Sequence, residues 1–166
     1  NARNIRFEPA LNIPMEQLDE VLNRLEDVFK SIDLPRQKKT DNLYAGRVLH
    51  VDLSTRTAEA RPLESRWAED YIGGWGLAVK YFVENVDPAV EPLSPDNALV
   101  IMTGPMAGTL APTGSRCCVV SKSPHTGTIF ESNVGGAFAP ELKFAGYDGI
   151  VIRGSADRPV VLKIVD

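Results

Sequence analysis

Residues 104–146 read GPMAGTLAPTGSRCCVVSKSPHTGTIFESNVGGAFAPELKFAG. Glycine, proline, serine and threonine crowd between short apolar runs. Only Ala137 to Ala145 carries the spacing of a helix, with Phe138, Leu142 and Ala145 on its inward side and Gly146 at its C-terminal end. Chain of this kind bends sharply and lets a ligand approach the backbone closely. It also offers main-chain N–H and C=O groups as contacts in place of side chains. No paired acid and base, no histidine cluster and no cysteine pair at metal-ligand spacing stands in it. Any chemistry therefore belongs to something that this surface holds.

Outward from that stretch, Ala98–Thr103 and Cys117–Ser121 read as buried strands. Gly46–Leu53 alternates Val48, His50 and Asp52 with Leu49, Val51 and Leu53. Ser54-Thr55-Arg56 turns it, and Thr57–Pro62 returns as the second arm of a hairpin. Trp67–Ile72 reads as a short helix ended by Gly73-Gly74. Leu77–Val86 reads as another, with Leu77, Tyr81 and Val83 on one face, and Asp87 to Pro95 as an extended connection. Tyr147–Arg153 and Val160–Ile164 form a second hairpin. Tyr44-Ala45-Gly46 with Val48 matches Tyr147-Asp148-Gly149 with Val151, which hints at an internal duplication. The predicted class is α+β, mostly antiparallel sheets with a few short helices.

Residues 1–33 form a separate unit. Met15, Leu18, Leu22, Leu25, Phe29 and Ile32 make one apolar stripe along an amphipathic helix. That stripe packs either on the rest of the chain or on a second copy, as a homodimer. Residues 34–43 are polar and aperiodic and read as a linker. Residues 44–166 are the main domain.

A chain of 166 residues with 43% apolar side chains can build a core, and a net charge of −4 argues against a nucleic-acid partner. No apolar run is long enough to cross a membrane and no secretory leader opens the sequence, so the expected compartment is the cytoplasm. Cys117 and Cys118 are adjacent in a strand, and their side chains point to opposite faces. One is expected to be buried; together they cannot chelate a metal. His50 reads as an exposed strand residue and His125 as part of a turn. From the residues alone, Arg116 is a surface arginine at a strand start, offering a planar fork of donors to an anion. Asn133 is a turn residue before two glycines. Lys122 and Lys143 are candidate phosphate contacts by charge, and Glu141 has no assigned catalytic role.

GPMAGTLAPTGSR, SKSPHTGTI, SNVGG and APELKFAGYDGIVI, preceded by GRVLHVDLST, YIGGWGLAVKYF and VDPAVEPLSPDNALVI, resemble the N-terminal domain of the aldehyde ferredoxin oxidoreductases. The motifs follow in the family's order from about Tyr44 to Asp166. The resemblance implies sheets that form a base for a tungsten (or molybdenum) bis-pterin cofactor with magnesium. It implies a 4Fe-4S cluster held by four cysteines in later domains, with those domains and ferredoxin as partners of the intact parent. By the same resemblance Arg116 lies between pterin and cluster, and Asn133 reaches the phosphate region and magnesium through its main-chain oxygen. Gly135 and Gly136 permit close approach and open a helix at Ala137, whose N-terminus favours an anion. Gly74, Trp75 and Gly76 belong to the same cofactor face. Relatives commonly carry arginine where Trp75 stands, a departure that removes a charge there. The catalytic acid also lies in later domains, so the fragment alone is expected to be inactive.

RNIRFEPALNIPMEQLDEVLNRLEDVFKSI, residues 3–32, is similar to the C-terminal tail of the class III aminotransferases. That resemblance implies a fusion, with pyridoxal phosphate only in an upstream domain. It opens an alternative: a non-catalytic, oxidoreductase-like appendage at the C-terminus of an aminotransferase of the 4-aminobutyrate or ornithine type. A third reading is a binding module for an anionic, nucleotide-like ligand at SNVGG.

Overall fold

The computed structural model describes residues 43–164. The chain divides into two units, Asn1–Lys39 and Thr40–Asp166, and the described residues all lie in the second. The amphipathic helix, the aminotransferase-like tail and nearly all of the linker read above fall outside them.

Alternating apolar residues at the start of the main domain form β1 (Arg47–Asp52), which turns into β2 (Thr57–Pro62) as an antiparallel hairpin pairing Asp52 with Thr57. Two helices follow, α1 (Ser65–Tyr71) and α2 (Gly74–Asn85). Then come β3 (Ala98–Thr103), β4 (Cys117–Lys122), β5 (Ile129–Val134), the short helix α3 (Phe138–Phe144) and β6 (Gly149–Arg153). The strands make one mixed sheet in the order β2-β1-β6-β3-β4-β5. Every neighbouring pair is antiparallel except β1 and β6, which run parallel with Val48 opposite Gly149. Among the described residues, six strands and three helices make an α+β arrangement, as the sequence predicts.

Each face of the sheet has its own core. On one, Val48, Val100, Met102, Cys118, Val120 and Val151 pack against Leu77, Ala78, Tyr81 and Phe82 of α2. On the other, Leu49, Val51 and Ile150 pack with Leu142 of α3, and Cys117 packs with Ala107 and Ala139. Both cysteines are therefore buried, one on each face, where one was expected. Burial pushes both thiols up; Cys118 reaches about 11, with the nearby Glu131 carboxylate adding to the effect of burial.

Several expectations are corrected. No strand forms at 160–164, and β6 inserts between β1 and β3 instead of closing a second hairpin. Ile150, Val151 and Ile152 are apolar on both sides, which suits a central strand covered above and below. The likeness between the two Tyr–Gly segments thus belongs to parallel neighbours in one sheet, not to a duplicated hairpin. Ile129–Val134, which contains the Asn133 expected in a turn, is an edge strand whose six residues are all exposed. α2 begins at Gly74, three residues earlier than expected, so Gly74, Trp75 and Gly76 form its first turn. Ala78 and Phe82 join Leu77 and Tyr81 on its buried face, whereas Val83 is exposed, as is Phe138 of α3.

Gly149 shows how tightly β6 is inserted. A Cβ there would sit 2.6 Å from the Ile101 carbonyl oxygen and collide with the Met102 thioether. Gly149→Ala should therefore cost about 1–3 kcal/mol through overpacking. Urea unfolding checks this; an unchanged midpoint would mean that β3 and β6 are not this close.

Candidate functional site

The antiparallel ladders bring separated motifs to one end of the sheet. Thr103 at the end of β3 pairs with Cys117 at the start of β4, and Cys117 pairs with Val134 at the end of β5. The Gly104 amide donates to the Arg116 carbonyl at 3.3 Å, so the β3–β4 ladder runs one step past the strands. Continuing the β4–β5 register puts Arg116 opposite Gly135. Strand alternation then sets Arg116 on the face of Cys118 and of its partner Asn133. The Gly73–Gly76 segment reaches the same end: a Cβ on Gly73 would lie 2.8 Å from Pro105 Cδ and 3.2 Å from the Thr103 carbonyl oxygen. Arg116, Asn133, Gly135, Gly136, Gly74, Trp75 and Gly76 are thus gathered at the C-terminal end of β3, although 58 positions separate Gly74 from Ser132 at the edge of SNVGG.

This end presents backbone. A Cβ placed on Gly74, Gly135 or Gly136 would meet no atom within 4 Å. At Gly135, where the backbone is not left-handed, neither crowding nor φ calls for glycine. What the missing side chain leaves is open space that a bound group can enter. α2 opens at the same place with an extended Gly73 cap and no side-chain cap, so its first N–H groups are without partners from a capping side chain. The N-terminus of a twelve-residue helix carries a partial positive charge suited to an anion. α3, to which the sequence reading gave that role, has only seven residues and carries Glu141 in its first turn. Two short turns align too few peptide dipoles, and the carboxylate already answers them.

The phosphate contacts suggested by charge are corrected too. Lys122 Nζ donates to the carbonyls of Pro88 and Val90, each at 2.7 Å. Lys143 Nζ is bonded to Asp148 at 2.5 Å and to the Leu43 carbonyl at 2.8 Å, with its side chain buried. Both lysines hold the fold. Arg116 is the exposed cation at this end. Asn133 sits in β5 rather than in a turn, because pairing with Cys118 keeps its backbone extended.

Beneath the loops lies a residue that the sequence reading passed over. Asp148 is buried, and its carboxylate accepts the Ala45 amide at 2.9 Å, the Gly46 amide at 2.6 Å and the Lys143 ammonium. Its amide donates to the Arg47 carbonyl at 2.7 Å, and its carbonyl accepts both the amide and the hydroxyl of Thr103. Asp148 falls within the stretch Tyr147–Arg153 expected as a hairpin arm, with no role of its own; the neighbouring β6, apolar on both faces, was the available sign that it is interior.

Nearby, Ile72 adopts φ 65° and ψ −66°, and the Gly73 amide donates to the Tyr71 carbonyl at 2.7 Å. These are the marks of a γ-turn of the strained sense, unusual for a β-branched residue. The Tyr44 hydroxyl donates to the Ile72 carbonyl at 2.7 Å. Ile72, Trp75, Met106, Leu110 and Phe138 are all exposed around this end. An apolar rim of that kind is typical of a surface that other groups cover.

A second concavity, about 460 Å³, lies at the far ends of β1 and β6 and includes His50, Asp52, Glu59, Arg61 and Arg153. Three of its charges are engaged internally: Arg61 pairs with Glu59 at 2.8 Å, and Asp52 accepts the Ser54 and Thr55 amides. His50, expected to be exposed, is half-buried beside Tyr81. Burial first, then Arg61, lowers its pKa, against a smaller opposing effect of Glu59. Among the described residues no group of three or more His, Cys, Asp or Glu side chains is placed to hold a metal, and no helix is long and apolar enough to cross a membrane.

The family model described as "Aldehyde ferredoxin oxidoreductase, N-terminal domain" matches residues 48–166. A tungsten-containing aldehyde ferredoxin oxidoreductase of Pyrococcus furiosus is 48% identical over 121 residues, 73% of this chain and 20% of that protein. The WOR-like subunit of an aliphatic sulfonate oxidoreductase from the same organism is 36% identical over 124 residues, again 73% and 20%. Among solved structures, the active-site complex BamBC of benzoyl coenzyme A reductase with 1,5-dienoyl-CoA matches with TM-score 0.68 and 40% identity, over 70% of this chain and 18% of that one. The chain spans about a fifth of the length of these relatives.

The geometry makes Asp148 testable. Asp148→Asn leaves the buried Lys143 ammonium without a counter-charge and should cost about 3–5 kcal/mol. Denaturant unfolding checks it; a loss under 1 kcal/mol would mean that the pair is solvated.

Proposed function

This chain belongs to the aldehyde ferredoxin oxidoreductase family through its N-terminal domain, and we propose that it forms one wall of a tungsten–pterin site in a larger parent enzyme. One observation carries the proposal. Three glycine-containing loops and one exposed arginine converge at one sheet end, and added Cβ atoms at Gly74, Gly135 and Gly136 would occupy only open space. A flat, hydrogen-bonding group with phosphate arms fits such a surface: backbone N–H groups at the start of α2 take an anion, and the Arg116 guanidinium offers a planar fork to a ring edge or phosphate.

The chain's part is binding and orientation. Gly135 and Gly136 let the ligand lie against main chain. Asn133, on an edge strand with one side free of a neighbouring strand, offers its carbonyl oxygen as the magnesium contact. Trp75, exposed on the first turn of α2, gives an apolar plane where a cation is absent, so the phosphate charge at that loop falls to helix N–H groups alone. When bound, the metal–pterin group supplies two-electron redox chemistry, and the protein places and tunes it. For the whole parent we extend the reading to oxidation of an aldehyde with electrons leaving by an iron–sulfur cluster to ferredoxin, the acceptor in the relatives' name.

The test uses the full-length parent. Arg116→Ala and Gly135→Val should each lower the tungsten and pterin retained per protein about tenfold or more, the value of a hydrogen bond to a charged group or of a blocked approach. Gly135→Val should leave the melting temperature within about 2 °C, because a Cβ there meets no atom within 4 Å. Metal analysis and pterin fluorescence after denaturation read the result. Full retention in both variants would show that the cofactor lies elsewhere.

A further inference from the structure

We infer that Tyr44 is a positioning residue that clasps the strained turn at Ile72 and so sets the Gly73–Gly76 segment for its bound group. The inference rests on the site assignment above but is carried by separate observations. Ile72 holds a left-handed, β-branched backbone between α1 and α2. A residue in that region persists only where its surroundings over-determine it. The turn's own bonds are the Ile72 amide to the Ala68 carbonyl at 2.9 Å and the Gly73 amide to the Tyr71 carbonyl. Both lie within the segment, so neither anchors it to the rest of the fold.

The anchor is the Tyr44 hydroxyl. It has one proton, and the shorter of its two contacts, 2.7 Å, goes to the Ile72 carbonyl; the Ala68 carbonyl stands at 3.3 Å. Tyr44 is fixed in turn. Its ring lies under the Lys143 ammonium, 5.3 Å from the centroid, and Lys143 is held by Asp148 and by the Leu43 carbonyl next in sequence. Burial first, and the Asp148 charge second, raise the Tyr44 pKa, so the phenol stays a donor at neutral pH. A continuous path therefore runs from the buried carboxylate under β6 through Lys143 and Tyr44 to the turn. From Ile72 the path reaches Gly73, whose close approach to Pro105 fixes where α2 begins. A shift in the turn moves the first N–H groups of α2 against Arg116 and Gly135.

Tyr44→Phe in the full-length parent keeps the ring and the cation above it and removes only the donor. Hydrogen exchange of the 71–77 amides should accelerate about tenfold, the worth of one such hydrogen bond, while amides of β3 and β4 keep their wild-type rates and so show an intact fold. Pterin retained per protein should fall several-fold. Unchanged exchange at 71–77 would overturn the clasp. Faster exchange with full pterin retention would overturn its positioning role. A wild-type parent that carries no pterin would instead defeat the site assignment and the positioning role with it, leaving exchange to decide the clasp alone.

Discussion

The buried carboxylate of Asp148 is the constraint on which this domain depends. An ionised group inside a protein is tolerable only when its acceptor sites are filled and its charge is answered. Here two backbone amides and the Lys143 ammonium do so. Those partners come from the segment before β1 and from α3, while the same residue's amide and carbonyl reach Arg47 and Thr103. One residue thereby ties β1, β3, β6 and α3 together. The parallel pairing of β1 with β6 is the expensive step in the topology, because it joins segments about a hundred positions apart; the polar junction at their shared end fixes its register.

That junction also lies under the loops of the candidate site. The cores on the two sheet faces are rigid and apolar, and the end above Asp148 is where the chain turns to glycine, exposed backbone and one left-handed isoleucine. A stable platform beneath strained, sparsely packed loops suits a surface that holds a group made elsewhere. On the proposed function, the chain would contribute position and charge, and the reactive chemistry would belong to the bound cofactor.

Much of this was legible in the residues. The alternation at Leu49, Val51 and their neighbours marked β1, the apolar runs at Ala98–Thr103 and Cys117–Ser121 marked two central strands, and the density of glycine after Thr103 marked the loop-rich end of the sheet. The misses share a cause, namely pairing between distant segments. Ile129–Val134 has a polar middle and a glycine pair behind it, so local signals favour a turn; it is a strand because Cys117–Lys122 lies alongside. Val160–Ile164 has the apolar content of a strand, yet β6 already has neighbours on both sides. Lys143 and Lys122 read as candidate phosphate contacts by charge, and only the fold reveals the carboxylate and carbonyls that hold them. Trp75 was legible as a departure from the family, while its place in the first turn of α2 was not, because two flanking glycines argue locally against helix.

The central claim is that one sheet end, framed by Gly74–Gly76, Arg116 and Gly135–Gly136, receives the cofactor. The most direct measurement is a crystal structure of the full-length parent with anomalous data at the tungsten edge. The account predicts pterin density lying against those three loops, with an anionic arm at the start of α2. Pterin density at the far end of β1 and β6, beside His50 and Arg153, or none touching this domain, would contradict it.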